Sequence, residues 1–188
     1  STLAAYGFAR KNFWGRDVLF TILLTTMMIP GQVTMIPVFI FFRSLGWIDT
    51  LKPLIVPSYF GSAFYIFLLR QFFLTIPNEL EEAAILDGCG SFRAFTTIYL
   101  PLSKPALTTV AIFSFLNSWN DFFNPLIYLN SLEKKTLTLG LALFRGVYST
   151  EWGLLMAATV EITLPCIILF LACQKYFVEG IALTGLKQ

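Results

Sequence analysis

Four apolar runs, 18–42, 53–76, 105–129 and 153–178, leave this 188-residue chain few ways to fold. A hydrocarbon core about 30 Å thick is crossed by roughly 20 apolar residues in a helix, and each run exceeds that length. Inside lipid every backbone N–H and C=O must be bonded within the protein, so such segments are helical. The expected fold class is therefore all-α, a polytopic transmembrane helical bundle forming one domain over 1–188. Composition agrees: 56% hydrophobic residues, 13% charged ones and a mean hydropathy of +0.72 are too apolar for an ordinary soluble domain.

The formal charge of +2, with no basic run, argues against a nucleic-acid partner. The chain has no histidine, which removes the commonest metal ligand and the commonest general base together. No catalytic residue and no metal site are expected. Cys89, Cys166 and Cys173 are odd in number, lack metal-ligand spacing and are expected to be reduced thiols. Asp121 and Glu161 lack the flanking glycines that intramembrane aspartyl chemistry would want. No G-x-x-x-x-G-K-[ST] loop occurs, so the chain does not bind ATP in the P-loop manner.

Within the first run, Pro30, Gly31, Gln32 and Pro37 predict a kinked helix, either at a moving gate or as a packing kink. Arg70, close to the end of the second, is expected to snorkel to the interface. On the third, Asn117, Asn120, Asp121 and Asn124 fall at i, i+3, i+4 and i+7, one face of a continuous helix, and Ser114 extends that stripe. Four such side chains cannot all face lipid; the stripe meets another helix or lines a wet path. Glu161 has no cation within a turn. It must be kept protonated, hydrogen-bond to the stripe, or contact a substrate, closing the same cavity from the opposite side. In the polar segment 130–152, Thr136–Leu139 is a candidate to dip back toward the membrane.

One long segment is polar and capped. Asn78 follows Pro77 and is expected to N-cap a helix, with Glu81 completing a capping box. Glu79, Glu81 and Glu82 occupy its first turn, where the helix dipole favours acids. Gly88 supplies a stop, Ser91 is expected to cap a second helix carrying Phe92, Phe95 and Ile98, and Pro101 ends it. A water-facing helical hairpin between apolar spans has the form of a docking element.

Glu82-Ala83-Ala84, then Gly88, then Ile98-x-Leu100-Pro101 resemble the E-A-A-x-x-x-G…I-x-L-P signature of ABC importer permeases. Pro30-Gly31-Gln32, Trp119-Asn120-Asp121-Phe122 and Trp152-Gly153-Leu154-Leu155-Met156 look like the maltose-type carbohydrate branch, and the resemblance runs the length of the chain. Glu161 departs from that pattern, in which the position is usually apolar.

The resemblance implies an ABC importer permease-like subunit of a bacterial or archaeal cytoplasmic membrane, multi-pass and not itself an enzyme. It implies import of a sugar or oligosaccharide; a glycerol-phosphate or polyol permease is the alternative within the class, and a scaffold or channel without ATP coupling the alternative outside it. Implied partners are a second permease subunit, two cytosolic ATPases that carry the ATP-Mg, and an extracytoplasmic substrate-binding protein. The 77–104 loop would be the cytosolic coupling element, with Glu82, Ala83, Ala84, Asp87, Gly88, Leu100 and Pro101 as coupling residues. The substrate pathway would include Asn117, Asn120, Asp121, Asn124 and Glu161. Family members usually carry six spans, so the chain is expected to be a fragment lacking the first and most of the second. With the loop inside, eight basic residues (Arg10, Lys11, Arg16, Arg70, Arg93, Lys104, Lys175, Lys187) fall inside and five (Arg43, Lys52, Lys134, Lys135, Arg145) outside, as the positive-inside rule asks.

Overall fold

The structure is a computed structural model that describes residues 1–144 and 150–185, with side chains described as far as Gln174. Arg145, Lys187 and the side chain of Lys175, counted above for charge asymmetry, lie outside this. In chain order the helices are α1 (Thr2–Arg10), α2 (Arg16–Thr26), α3 (Gly31–Ser44), α4 (Lys52–Ile55), α5 (Ala63–Thr75) and α6 (Asn78–Leu86). They continue with α7 (Ser91–Ala94), α8 (Leu100–Leu102), α9 (Lys104–Trp119), α10 (Phe123–Tyr128), α11 (Leu137–Gly140) and α12 (Trp152–Gly185). Among the described residues two stretches are long and apolar enough to cross a membrane, Lys52–Thr75 and Trp152–Gln174. Two more qualify if helices on either side of a sharp bend are joined: Arg16–Thr26 with Gly31–Ser44, and Ser91–Leu102 with Lys104–Trp119.

Two compact units are present. The first contains Ser1–Pro30 and Phe60–Val110. Here α1 packs on α5. Ala5 and Ala9, one turn apart, have no side chain beyond Cβ and bring the backbones close, over a core of Tyr6, Ile66, Leu69, Phe73, Ile76, Phe95, Tyr99 and Ala106. Leu69 and Phe73 are fully buried, each adding about 1.5–3 kcal/mol of apolar stabilisation. The ring of Tyr99 stands edge-on to Phe73 at 5.7 Å and lies 4.9 Å from Tyr6. Arg70 is half-buried near the end of α5. Its guanidinium lies 4.2 Å from the centre of the Phe20 ring and its Nε donates to the Phe8 carbonyl at 3.3 Å. An aromatic face and a carbonyl both attract a cation.

The second unit contains Gly31–Tyr59 and Ala111–Lys175. Phe42 stacks on Trp47 at 5.5 Å, across a turn in which Gly46 takes φ 68°, and meets Tyr128 of α10 edge-on at 5.4 Å. Trp119, the last residue of α9, donates from its indole Nε1 to the Ile162 carbonyl of α12 at 3.0 Å. Both α3 and α12 stay helical through an internal proline, Pro37 and Pro165. Ile36, Ile40, Val160, Ile168 and Leu171 are exposed, the surface expected of helices whose solvent is lipid or a partner helix. The hydroxyls of Thr159 and Thr163 are satisfied by carbonyls one turn back.

Three sequence expectations change. The first apolar run is two helices: α2 ends at Thr26, and Met27, Met28 and Ile29 form tight turns onto carbonyls three residues back before Gly31 starts α3. The third run is not one helix to 129, because α9 stops at Trp119 and its carbonyl accepts from the Thr138 hydroxyl at 2.6 Å. The helix of the fourth run does not end at 178, since α12 continues to Gly185.

Candidate functional site

The polar hairpin forms as two helical arms, with capping that differs from the sequence reading. Asn78 is the first residue of α6 rather than its cap, and its carboxamide oxygen accepts from Arg10 instead of from the helix. Ser91 is likewise the first residue of α7, after Gly90. The α6 C-terminus closes as a Schellman turn: Gly88, at φ 78°, donates to the Ile85 carbonyl at 3.0 Å, and Cys89 donates to Ala84 at 2.8 Å. Pro101 does not end the second arm. A widened π-turn over Phe95–Tyr99 absorbs the missing proline N–H, α8 carries the chain to Leu102, and the direction changes by 80° at Ser103.

Of the predicted coupling residues, Glu82, Ala83, Asp87, Gly88 and Pro101 are exposed, Ala84 is half-buried, and Leu100 packs against the core. Around them Ile85, Leu86 and Phe92 are also exposed, Leu86 by 89%. The tip of the hairpin thus presents an apolar patch bordered by Glu82 and Arg93.

The acid that does most inside the hairpin is Glu81, expected from the sequence only as a capping partner and first-turn acid. It is 8% exposed. Its Oε1 accepts from the Tyr6 hydroxyl at 2.9 Å and from Lys11 Nζ at 2.6 Å, and its Oε2 from the Tyr99 hydroxyl at 2.7 Å. Burial pushes this carboxyl up, but the bonds from Lys11, Tyr99 and Tyr6 outweigh it and hold it below the ordinary glutamate value. Beside it, Arg10 donates to the carbonyls of Phe73 and Ile76 at the end of α5 as well as to Asn78, with its guanidinium 5.1 Å from the Tyr99 ring centre. Arginine there caps carbonyls that the helix leaves open.

The polar stripe is broken in the second unit. Asn117 lies on α9, while Asp121 falls in the gap before α10 and turns back on it: its Oδ1 accepts from the Asn124 backbone at 3.2 Å and its Oδ2 from the Asn124 amide at 2.8 Å. The break nevertheless gathers Asn117, Ser118, Asp121 and Asn124 with Ser58 and Tyr128 around one cleft of about 540 Å³, whose other wall is Val38, Phe42 and Leu54. Asn120 does not line it; its amide donates to the Leu116 carbonyl at 2.9 Å. Glu161, exposed on α12, is not among the residues that line this cleft.

A further anchor lies in the same unit. Asp49, a non-glycine residue at φ 59°, accepts from the backbone N–H groups of Asn130 and Ser131, the Ser131 hydroxyl at 2.5 Å and Lys134 Nζ at 2.9 Å. The Ser131 hydroxyl and N–H, with Lys134 and Asn130, hold this carboxyl well below the usual carboxylate range.

Apolar spanning helices, with a water-facing, Schellman-closed hairpin fastened to the bundle, define a polytopic helical membrane protein. The chain belongs to the family described as binding-protein-dependent transport system inner membrane component, whose model matches residues 1–182. It is 41% identical over 188 residues to the probable ABC transporter permease protein YurM of Bacillus subtilis, covering all of this chain and 63% of that one. It is 39% identical over 187 residues to the arabinooligosaccharides transport system permease protein AraQ of the same organism, covering 100% of this chain and 66% of that one. The trehalose/maltose transport system permease protein MalG of Thermococcus litoralis is 36% identical over 190 residues, with 100% and 68% covered. Among solved structures, a bacterial ABC transporter involved in the import of the acidic polysaccharide alginate superposes with a TM-score of 0.81 at 29% identity, covering 92% of this chain and 66% of that one. The chain thus spans about two thirds of the length of the curated relatives it matches.

Proposed function

We propose that this chain is the membrane-spanning permease part of an ATP-driven importer that moves a sugar or oligosaccharide into the cell. The observation that carries the reading is the hairpin. Ile85, Leu86 and Phe92 are exposed at its tip, where an apolar patch with a charged border suits a protein groove. Glu82, Ala83 and Ala84 lie on its first arm, α6, Asp87 and Gly88 in the turn that closes it, and Leu100 and Pro101 on its returning arm. In this reading the groove belongs to a cytosolic ATPase, one of two, which holds the ATP-Mg; a second permease and an extracytoplasmic binding protein complete the assembly. Hydrolysis moves the hairpin, and the bundle alternates between outward and inward access.

The cleft supports a neutral polyhydroxylated cargo. Amides and hydroxyls both donate and accept, as sugar hydroxyls require. The residues lining it include one carboxylate, Asp121, and no lysine or arginine, which disfavours a phosphate-bearing polyol. The names of the relatives, several of them sugar or oligosaccharide permeases, agree. The test is ATP hydrolysis by the reconstituted complex with its binding protein, screened against neutral sugars, acidic sugars and glycerol phosphate. Stimulation by a neutral sugar is expected; stimulation by glycerol phosphate alone would replace the substrate assignment, and none by any ligand would remove the importer reading.

A further inference from the structure

We propose that Glu81 is a positioning residue that makes α1 and the docking hairpin move as one body. This rests on the docking reading above and adds to it the route by which a push on the hairpin enters the bundle. Glu81 stands on α6, Tyr6 on α1, Lys11 just beyond α1, and Tyr99 on the returning arm of the hairpin. One buried carboxylate therefore ties both arms of the hairpin to the same helix, through bonds of 2.6, 2.7 and 2.9 Å. The Tyr6 oxygen also lies 3.2 Å from the Ser91 carbonyl at the start of the second arm.

Apolar contact alone lets helices slide, whereas charge-assisted hydrogen bonds of this length are directional and fix a register. The surroundings allow little slack. The Tyr6 and Tyr99 rings are 4% and 0% exposed, and both belong to the core that α1 shares with α5. Arg10 adds a second tie, from the end of α1 to Asn78 at the start of the hairpin. None of these groups faces the exposed patch at the tip, so their part is transmission and not recognition of the ATPase.

The test uses the intact complex in which Cys89, Cys166 and Cys173 are replaced by serine, with spin labels at Leu3→Cys on α1 and Glu79→Cys on α6. The distance between labels is read without nucleotide and with ADP-vanadate trapped. A single narrow distribution, the same in both states, is expected with Glu81 in place. In Glu81→Gln, and more weakly in Tyr6→Phe with Tyr99→Phe, it broadens and shifts with nucleotide. A nucleotide-dependent distance in the parent, or a narrow one in both variants, overturns the proposal. So does failure of both variants to insert, since the node then only holds the fold. Cross-linking of Ala84→Cys to the ATPase, in the same preparation without the spin-label substitutions, checks the docking reading separately. If that link does not form, docking fails whatever the distances show.

Discussion

The Tyr99 hydroxyl donates to Glu81 Oε2 at 2.7 Å, joining the two arms of the hairpin across eighteen residues at a point where both side chains are buried. Glu81→Gln removes the charge that pairs with Lys11, and because an amide nitrogen cannot accept, the donors to one of the two oxygens lose their acceptor. Hydrogen bonds to a charged, buried group contribute about 1.5–3 kcal/mol, while the Lys11 end is partly screened by solvent, its side chain being 32% exposed. Glu81→Gln is therefore expected to destabilise the detergent-solubilised protein by about 2 kcal/mol, measured as a lowered Tm.

The same carboxyl sets a pH dependence. Its folded pKa lies below its ordinary value of 4.5, so its contribution is complete above that pH and is lost as the pH falls through the lower folded value. Tyr6, Lys11 and Tyr99 are the ionisable groups bonded to it, and Arg10 lies against the Tyr99 ring. The Tm gap between the parent and Glu81→Gln should stay constant from neutral pH to about 5 and close in stronger acid. A gap that widened in acid would contradict the assignment.

Gly88 is a clean test of backbone strain. Nothing lies within 4 Å of where its Cβ would stand, so a side chain there meets no steric obstacle from neighbours. The penalty is left to φ 78°, which costs an L-residue about 1–2 kcal/mol and a β-branched one more. Gly88→Asn should be mild, Gly88→Ala intermediate and Gly88→Val worst, in both hairpin stability by hydrogen exchange and uptake. Equal behaviour of the three would show that the Schellman turn is not constraining.

These cases separate what the residues disclosed from what they hid. The all-α membrane class, the hairpin's place and the Gly88 stop follow from apolar run length and from glycine's access to positive φ, properties that act locally. The Asn78 and Ser91 caps failed because Arg10, a distant residue in sequence, claimed the Asn78 oxygen and the helices began one residue earlier than the capping pattern implied. Glu81 was visible as an acid in a first turn, but its tyrosine partners lie 75 and 18 residues away, a separation that no local pattern encodes. The continuous polar stripe failed at Asn120–Phe122, where Asp121 bonds forward to Asn124 instead of allowing the helix to continue.

Asp49 should hold its loop as a staple does. Its carboxylate takes four donors from Asn130, Ser131 and Lys134, while its own backbone N–H donates to the Tyr128 carbonyl at 2.8 Å. Asp49→Asn keeps a residue that tolerates positive φ but replaces an acceptor oxygen by a donor. Faster amide exchange at Asn130 and Ser131 is expected, with α10 unaffected. Because the folded pKa is depressed, the parent should show the same loosening only in strong acid.

The last prediction concerns the cleft, where the broken stripe redistributes the expected effects. Asn117, Asp121 and Asn124 line it and Asn120 does not, so substitutions one helical turn apart should differ in kind. Asn120→Leu removes a bond to a carbonyl within the same helix and is expected to leave uptake within about twofold of the parent. Asn117→Leu removes donor and acceptor from the wet wall without touching the α10 cap, and should lower uptake about tenfold, the loss of one or two well-placed hydrogen bonds to a ligand. Asn124→Leu deletes the amide that holds Asp121 Oδ2 as well as a lining group, so it should reduce both uptake and thermal stability. Measuring uptake and complex assembly for all three decides between two roles. If Asn117→Leu and Asn120→Leu impair uptake equally, the cleft is not the path; if Asn117→Leu abolishes assembly instead, its side chain is packing glue between helices.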